Sequence, residues 1–204
     1  MEQLERGMSL KRPRSAEGAG LAAAFSPPSA KKHAKARPPA VPLVAGDPRL
    51  CIWEAPASPY GLLEEELYRE PWKLLVACIL LNKTHSEAVR RVIWRLFELC
   101  PGPEVAARTH VARIEEILHP LGLSNVRAHA IQRLSDQFVH AAWRDPRELH
   151  GVGQYAADAY HMFCRGQWRH VRPEDKDLKR YWEWLAASEG QGMGFLSEGQ
   201  GVGA

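Results

Sequence analysis

The 204-residue chain has no uninterrupted apolar run of membrane-spanning length; its longest, residues 74–81, is too short and reads as a buried helix. The N-terminus has no apolar signal core, so secretion is not expected. Cysteine is sparse and unpaired in pattern. Cys51, Cys78, Cys100 and Cys164 lie far apart and form no C-x-x-C. That argues against a structural zinc or iron–sulfur site and for reduced thiols in an intracellular protein. No cofactor and no metal are expected. No segment alternates polar and apolar residues convincingly enough to be a strand. Positive charge is scarce where most of the chain lies: residues 51–204 hold 18 Lys and Arg against 20 Asp and Glu, whereas residues 1–50 hold nine against four. The folded part is therefore not a generally basic nucleic-acid binder. If it holds DNA, its charges are placed locally and backbone amides do part of the work.

What is present is a helical pattern between two tails. Residues 1–50, rich in Pro, Ala and Ser, read as a disordered basic tail. Lys11-Arg12-Pro13-Arg14 and the cluster Lys31 to Arg37 suit nuclear import or loose DNA contact. Residues 188–204 read as a flexible Gly-rich tail. Between them lies one domain, residues 53–187, with an apolar share and seven Trp residues that suit a compact core. Ser58-Pro59 signals a helix start, with an acidic face over 60–69. Pro71 opens a second helix, 72–82, apolar nearly all round and hence central. Thr84-His85-Ser86-Glu87 has capping-box spacing before a helix whose stripe is Val89, Val92, Ile93, Leu96 and Phe97. Val111, Ile114, Ile117 and Leu118 mark another. Ser124 caps a long helix with Ala130, Ile131, Leu134 and Phe138 inward. Ala156, Ala159, Tyr160 and Phe163 follow Gly153, and Leu178, Tyr181 and Leu185 follow Pro173; Trp182 and Trp184 go with the core. The fold class is all-α.

The strongest local feature is Leu149-His150-Gly151-Val152-Gly153, between two helical stretches. Two glycines around one apolar residue permit a tight hairpin, with Val152 tucked into the core. The helix after it starts with free amides that can bind a phosphate oxygen without a basic side chain. Twenty-two residues beyond Gly153 comes Asp175, in Val171-Arg172-Pro173-Glu174-Asp175. By itself an Asp ahead of a helix is an N-cap. Asp177 is a competing carboxylate.

Here the sequence resembles the helix-hairpin-helix DNA glycosylases, the superfamily of endonuclease III. It is closer still to the glycosylase domain of the methyl-CpG-binding domain protein 4 type. The segments that look like that family are 71–75, Pro120-Leu121-Gly122-Leu123, the hairpin 148–153 and Pro173-Glu174-Asp175. The resemblance implies a two-lobed helical fold with a DNA-binding cleft between the lobes. It implies an enzyme that flips a mismatched thymine or uracil (G·T or G·U, at deaminated CpG) out of the duplex and removes it. Asp175 is the implied catalytic carboxylate: cleaving an N-glycosidic bond builds positive charge on the deoxyribose, and a carboxylate near C1′ stabilises it. Members that also cut the strand carry a Lys four residues after the last hairpin Gly. Ala157 stands there, so a monofunctional enzyme is implied, without a Schiff-base amine.

The remaining roles are carried over in the same way. Lys83 matches an Arg that enters the gap left by the flipped base, and Leu123 a nearby wedge, with Leu121 in the same turn. Lys supplies charge but not a planar fork of donors. Leu63, Glu64 and Tyr155 form the implied base pocket. Glu64 replaces a Gln and, as an anion, accepts from N3–H of the base but cannot donate to its carbonyls. Asp177 replaces a Lys. His150, Gly151, Val152, Gly153, His170 and Arg172 are expected near DNA. The implied partner is double-stranded DNA with a mismatched or deaminated base, bound by a monomer in the nucleus, with repair proteins as further partners. The alternatives are a non-catalytic helix-hairpin-helix binding module and a glycosylase for another lesion.

Overall fold

The computed structural model describes residues 46–192. The basic clusters at residues 11–14 and 31–37 and the Gly-rich residues 193–204 lie outside the described residues. Among those described there are helices and no strands. The main helices are α1 (Leu63–Leu67), α2 (Pro71–Leu81), α3 (Ser86–Leu99), α4 (Pro103–Arg108), α5 (Val111–Leu118), α6 (Ser124–His140), α7 (Gln154–Ala159) and α8 (Lys176–Ala187). Short tight turns join several of them, and α7 runs on into a wider helical turn over Tyr160–Cys164.

The architecture follows from α2. Pro71 sits at its first turn, where a missing N–H costs nothing. Leu74, Leu75, Val76, Ala77 and Leu80 are fully buried. A helix apolar on every side must be surrounded, and α2 is: α3 and α6 pack on it from one lobe, α1 and α7 from the other. The first lobe is completed by α4 and α5 against α6. The second gathers the α7 extension, α8 and the N-terminal segment. Phe163 and Tyr181 meet at 4.4 Å, and the Tyr181 hydroxyl donates to the Pro56 carbonyl at 2.8 Å. The expected apolar stripes of α3, α6 and α8 are buried, with Ala130 only partly so, and so is Trp184. Trp182 is half-buried against the core.

Several helix starts differ from expectation. Ser58-Pro59 does not begin a helix; the Ser58 amide and hydroxyl both donate to the Glu65 carboxylate, at 2.6 and 2.8 Å, and α1 starts at Leu63. His85, not Thr84, precedes α3, and Leu123, not Ser124, precedes α6. The first turn of α1 turns Glu64 inward, so its acidic residues do not form a common solvent face. Packed chain also extends past the expected 53–187. Asp47 is buried, Pro48 accepts from the Tyr160 hydroxyl, and Gly192 N donates to Ser188 Oγ at 3.0 Å.

A buried bond ties α2 to α6: Trp72 Nε1 donates to Ser135 Oγ at 2.9 Å, and that hydroxyl donates to the Ile131 carbonyl at 2.6 Å. Ser135→Ala orphans the indole N–H and is expected to cost about 1–3 kcal/mol, a fall in melting temperature of roughly 3–10 °C by calorimetry. An unchanged melting temperature would show that the bond contributes nothing.

Candidate active site in the cleft between the lobes

A cavity of about 850 Å³ opens where the C-terminal end of α2 meets both lobes. That volume suits a ligand the size of a nucleoside. Its wall includes Leu63 and Glu64 from α1, Lys83 from the loop after α2, Leu123 before α6, His150, Gly151, Gly153 and Tyr155 from the hairpin and α7, and Asp175 before α8. Ten of the fourteen candidate residues singled out from sequence, Asp177 among them, therefore share one cavity. Leu121, Val152 and Arg172 do not line it. Leu121 is half-buried beside the core, and Val152 is tucked into the core, as the hairpin reading expects. Arg172 donates to the carbonyls of Arg169 and Val171, at 2.9 and 2.7 Å, and lies over the Trp182 ring. His170 is exposed and is also away from the cavity wall.

Asp175 is exposed and caps α8: its Oδ1 accepts from the amides of Asp177 and Leu178, each at 3.0 Å. The cap uses one oxygen and fixes the side chain, leaving Oδ2 outside the cap. The hairpin turns at Gly151, whose φ of +82° suits glycine. The His150 amide donates to Gln137 Oε1 at 2.6 Å, tying the hairpin to α6.

The cavity floor is a buried polar group. The Tyr155 hydroxyl donates to Glu64 Oε1 at 2.5 Å, and Cys78 lies beside them. Burial, with the nearby charges of Asp175 and Asp177, pushes the Glu64 carboxyl up from its ordinary value, against the opposing pull of Tyr155. Burial also raises the Tyr155 hydroxyl and the Cys78 thiol, so both keep their protons. The neutral acid that burial favours at Glu64 carries an O–H donor.

The rim is strained and apolar. Lys83 and Leu123 have φ of +58° and +51°, a left-handed conformation that costs a side-chain-bearing residue about 1–2 kcal/mol. Leu123 and its neighbour Val126 are each 65% exposed. Two functional candidates escaped the sequence reading. Arg127 joins the rim loops, and its place on the 127, 131, 134, 138 stripe of α6 was the available signal. Arg180 lines the cavity one turn after Asp177, 3.9 Å above the Tyr60 ring. It brings back a positive charge near the position where Asp177 stands.

Residues 76–193 match the profile of the HhH-GPD superfamily base excision DNA repair proteins, and the chain belongs to that superfamily. It is 45% identical over 133 residues to a methyl-CpG-binding domain protein 4-like protein of Arabidopsis thaliana, covering 65% of this chain and 30% of that one. It is 36% identical over 95 residues to a thymine/uracil-DNA glycosylase of Pyrobaculum aerophilum, covering 43% and 41%. The chain thus spans less than half the length of these curated relatives. A solved thermostable thymine-DNA glycosylase overlays with a TM-score of 0.45 at 23% identity, over 55% of this chain and 52% of that one.

The raised Glu64 pKa has a direct consequence for stability. Below about pH 4.5, the ordinary value for Glu, the group is neutral folded or unfolded. As pH rises above it, the unfolded chain releases the proton first and wild type loses stability until the folded pKa is passed. Glu64→Gln removes this loss. Urea unfolding from about pH 4 to about pH 8 is expected to show the variant gaining on wild type as pH rises; a constant difference would mean that burial does not perturb Glu64.

Proposed function

We propose that the chain is a monofunctional DNA glycosylase of base excision repair, removing thymine or uracil from G·T and G·U mispairs such as arise by deamination at CpG. The observation that carries this reading is that Asp175, the hairpin glycines and the Glu64–Tyr155 pair line one cavity. In this reading the amides around Gly151 and Gly153 hold a backbone phosphate of the target strand. The nucleotide flips into the cavity, a step made easier by its mispair. Glu64 and Tyr155 meet the pyrimidine edge. Asp175, through the oxygen its cap does not use, faces the sugar. The base leaves with the bonding electron pair, the carboxylate stabilises the resulting positive charge at C1′, and water adds there.

Lys83 and Leu123 fill the vacated space in the duplex. His150 is proposed to contact DNA from the cavity wall, and Arg172, Leu121 and Val152 from beyond it or by supporting the hairpin and turn. Ala157, at the position of the strand-cleaving Lys, is buried in α7 and offers no amine, which supports an abasic-site product on an intact strand. The names of the relatives support the thymine or uracil target. Duplex DNA with a mispaired or deaminated base is the proposed partner, bound by one copy of the chain in the nucleus before handover to other repair proteins. The basic clusters at residues 11–14 and 31–37 are proposed to direct it there.

Incubated with duplexes carrying one G·T or G·U pair, the full chain is expected to remove the pyrimidine and leave a strand that breaks only on alkali treatment. Asp175→Asn keeps a good N-cap but removes the charge. It is expected to lower the single-turnover rate by about a hundredfold or more with little change in melting temperature. An Asn variant as active as wild type would refute the role of Asp175. A wild type that binds DNA yet spares every base in a lesion panel would favour a non-catalytic binding module.

A further inference from the structure

We propose that Arg127 is a positioning residue that locks the loop 81–84 and the turn 121–123 together, so that Lys83 and Leu123 enter DNA as one rigid wedge rather than as two independent probes. The proposal rests on the glycosylase reading above and deepens it.

Arg127 lies in the first turn of α6 and is 5% exposed. Its Nη1 donates to the carbonyls of Leu121 and Gly122, at 2.9 and 3.0 Å. Its Nη2 reaches across to the Asn82 carbonyl at 2.9 Å and to Thr84 Oγ1 at 2.5 Å. Those acceptors are placed tellingly. Asn82 and Thr84 bracket Lys83, and Leu121 and Gly122 lead directly into Leu123. Each loop therefore carries one left-handed residue that bears a side chain, Lys83 or Leu123, next to an atom that Arg127 holds.

The energetics point the same way. No carboxylate pairs with the guanidinium among the described residues, and desolvation alone lowers its pKa. Burying a cation with no counter-ion is costly, and an apolar side chain of that volume would fill the site more cheaply. What the apolar replacement cannot do is satisfy acceptors on two loops at once. A planar fork with five donors can; an ammonium on a single stem serves one side or the other. The clamp also holds the two backbone conformations that would otherwise relax out of the left-handed region. A wedge that yields would let the flipped base return to the stack.

The test uses the full chain and compares single-turnover excision from a G·U pair with excision from the same uracil in an unpaired bubble, where no wedge is needed. Arg127→Lys is expected to slow excision from the pair by roughly tenfold and from the bubble by less than about twofold. Leu123→Ala is expected to do the same, and the double variant to lose no more than the worse single variant. Thr84→Val, which deletes one acceptor, is expected to shift the pair-to-bubble ratio in the same direction by a few-fold and decides the matter if Arg127→Lys fails to fold. Equal losses on both substrates, multiplying effects in the double variant, or an unchanged ratio in Thr84→Val would overturn the clamp. In an Asp175→Asn background, a fluorescent base analogue beside the mispair reports flipping without excision. Loss of that signal in Arg127→Lys supports the clamp and its retention overturns it, even if wild type removes no base.

Discussion

The burial of α2 is the constraint on which the rest of the molecule depends. A helix apolar nearly all round, with Lys73 its one charged residue, has little solvent face to offer, so both lobes close on it. They close along most of its length and part at its C-terminal end, where Ile79, Leu81 and Asn82 reach the cavity wall. The cavity is thus the place where two packed bodies diverge from a shared axis, and four of its candidate groups reach it from the starts of helices. Glu64 comes from the first turn of α1, Tyr155 from the first turn of α7, Asp175 from the cap of α8 and Leu123 from the cap of α6. Helix starts offer free amides and fixed side-chain directions, so a site assembled from them is rigid without being closed.

The electrostatics of the cleft are unusual for a surface proposed to meet DNA. Glu64, Asp175 and Asp177 all line it. Burial disfavours the charged form of the first, and Arg180 stands one turn beyond the last, its guanidinium stacked on Tyr60 with its edges available for hydrogen bonds. A domain that is acidic overall can still present positive charge to a phosphate if its few cations are held in place. Arg180 is held there by a ring face, and the hairpin amides can serve a phosphate without charge.

Much of the fold could be read from periodicity. The stripes of α3, α6 and α8 are long and made of large apolar residues, so their phase is unambiguous. Helix α4 was not visible because it buries only Ala106 and Ala107, too small to stand out in a pattern. The helix starts at Ser58 and Thr84 misled because a hydroxyl near a helix start is a cap only if nothing else claims it. Glu65 claims Ser58 and Arg127 claims Thr84, and both are tertiary contacts that no local window contains. The candidate site was legible where the motif fixes spacing, from Gly151 to Asp175. The ionisation of Glu64 was not, since it depends on burial by residues distant in sequence, among them Tyr155. Arg127 was hidden for the same reason: an arginine on an apolar stripe reveals its purpose only when its acceptors are known.

The central claim is that the acid capping α8 and the glycine hairpin act on the same nucleotide. The most direct measurement is a structure of the full chain bound to a duplex in which the mispaired uridine carries a 2′-fluoro group that blocks cleavage. C1′ of the flipped sugar is expected within roughly 3–4 Å of an Asp175 carboxylate oxygen, with an adjacent phosphate on the hairpin amides. A target base that stays stacked, or a flipped sugar lodged away from Asp175, would contradict it.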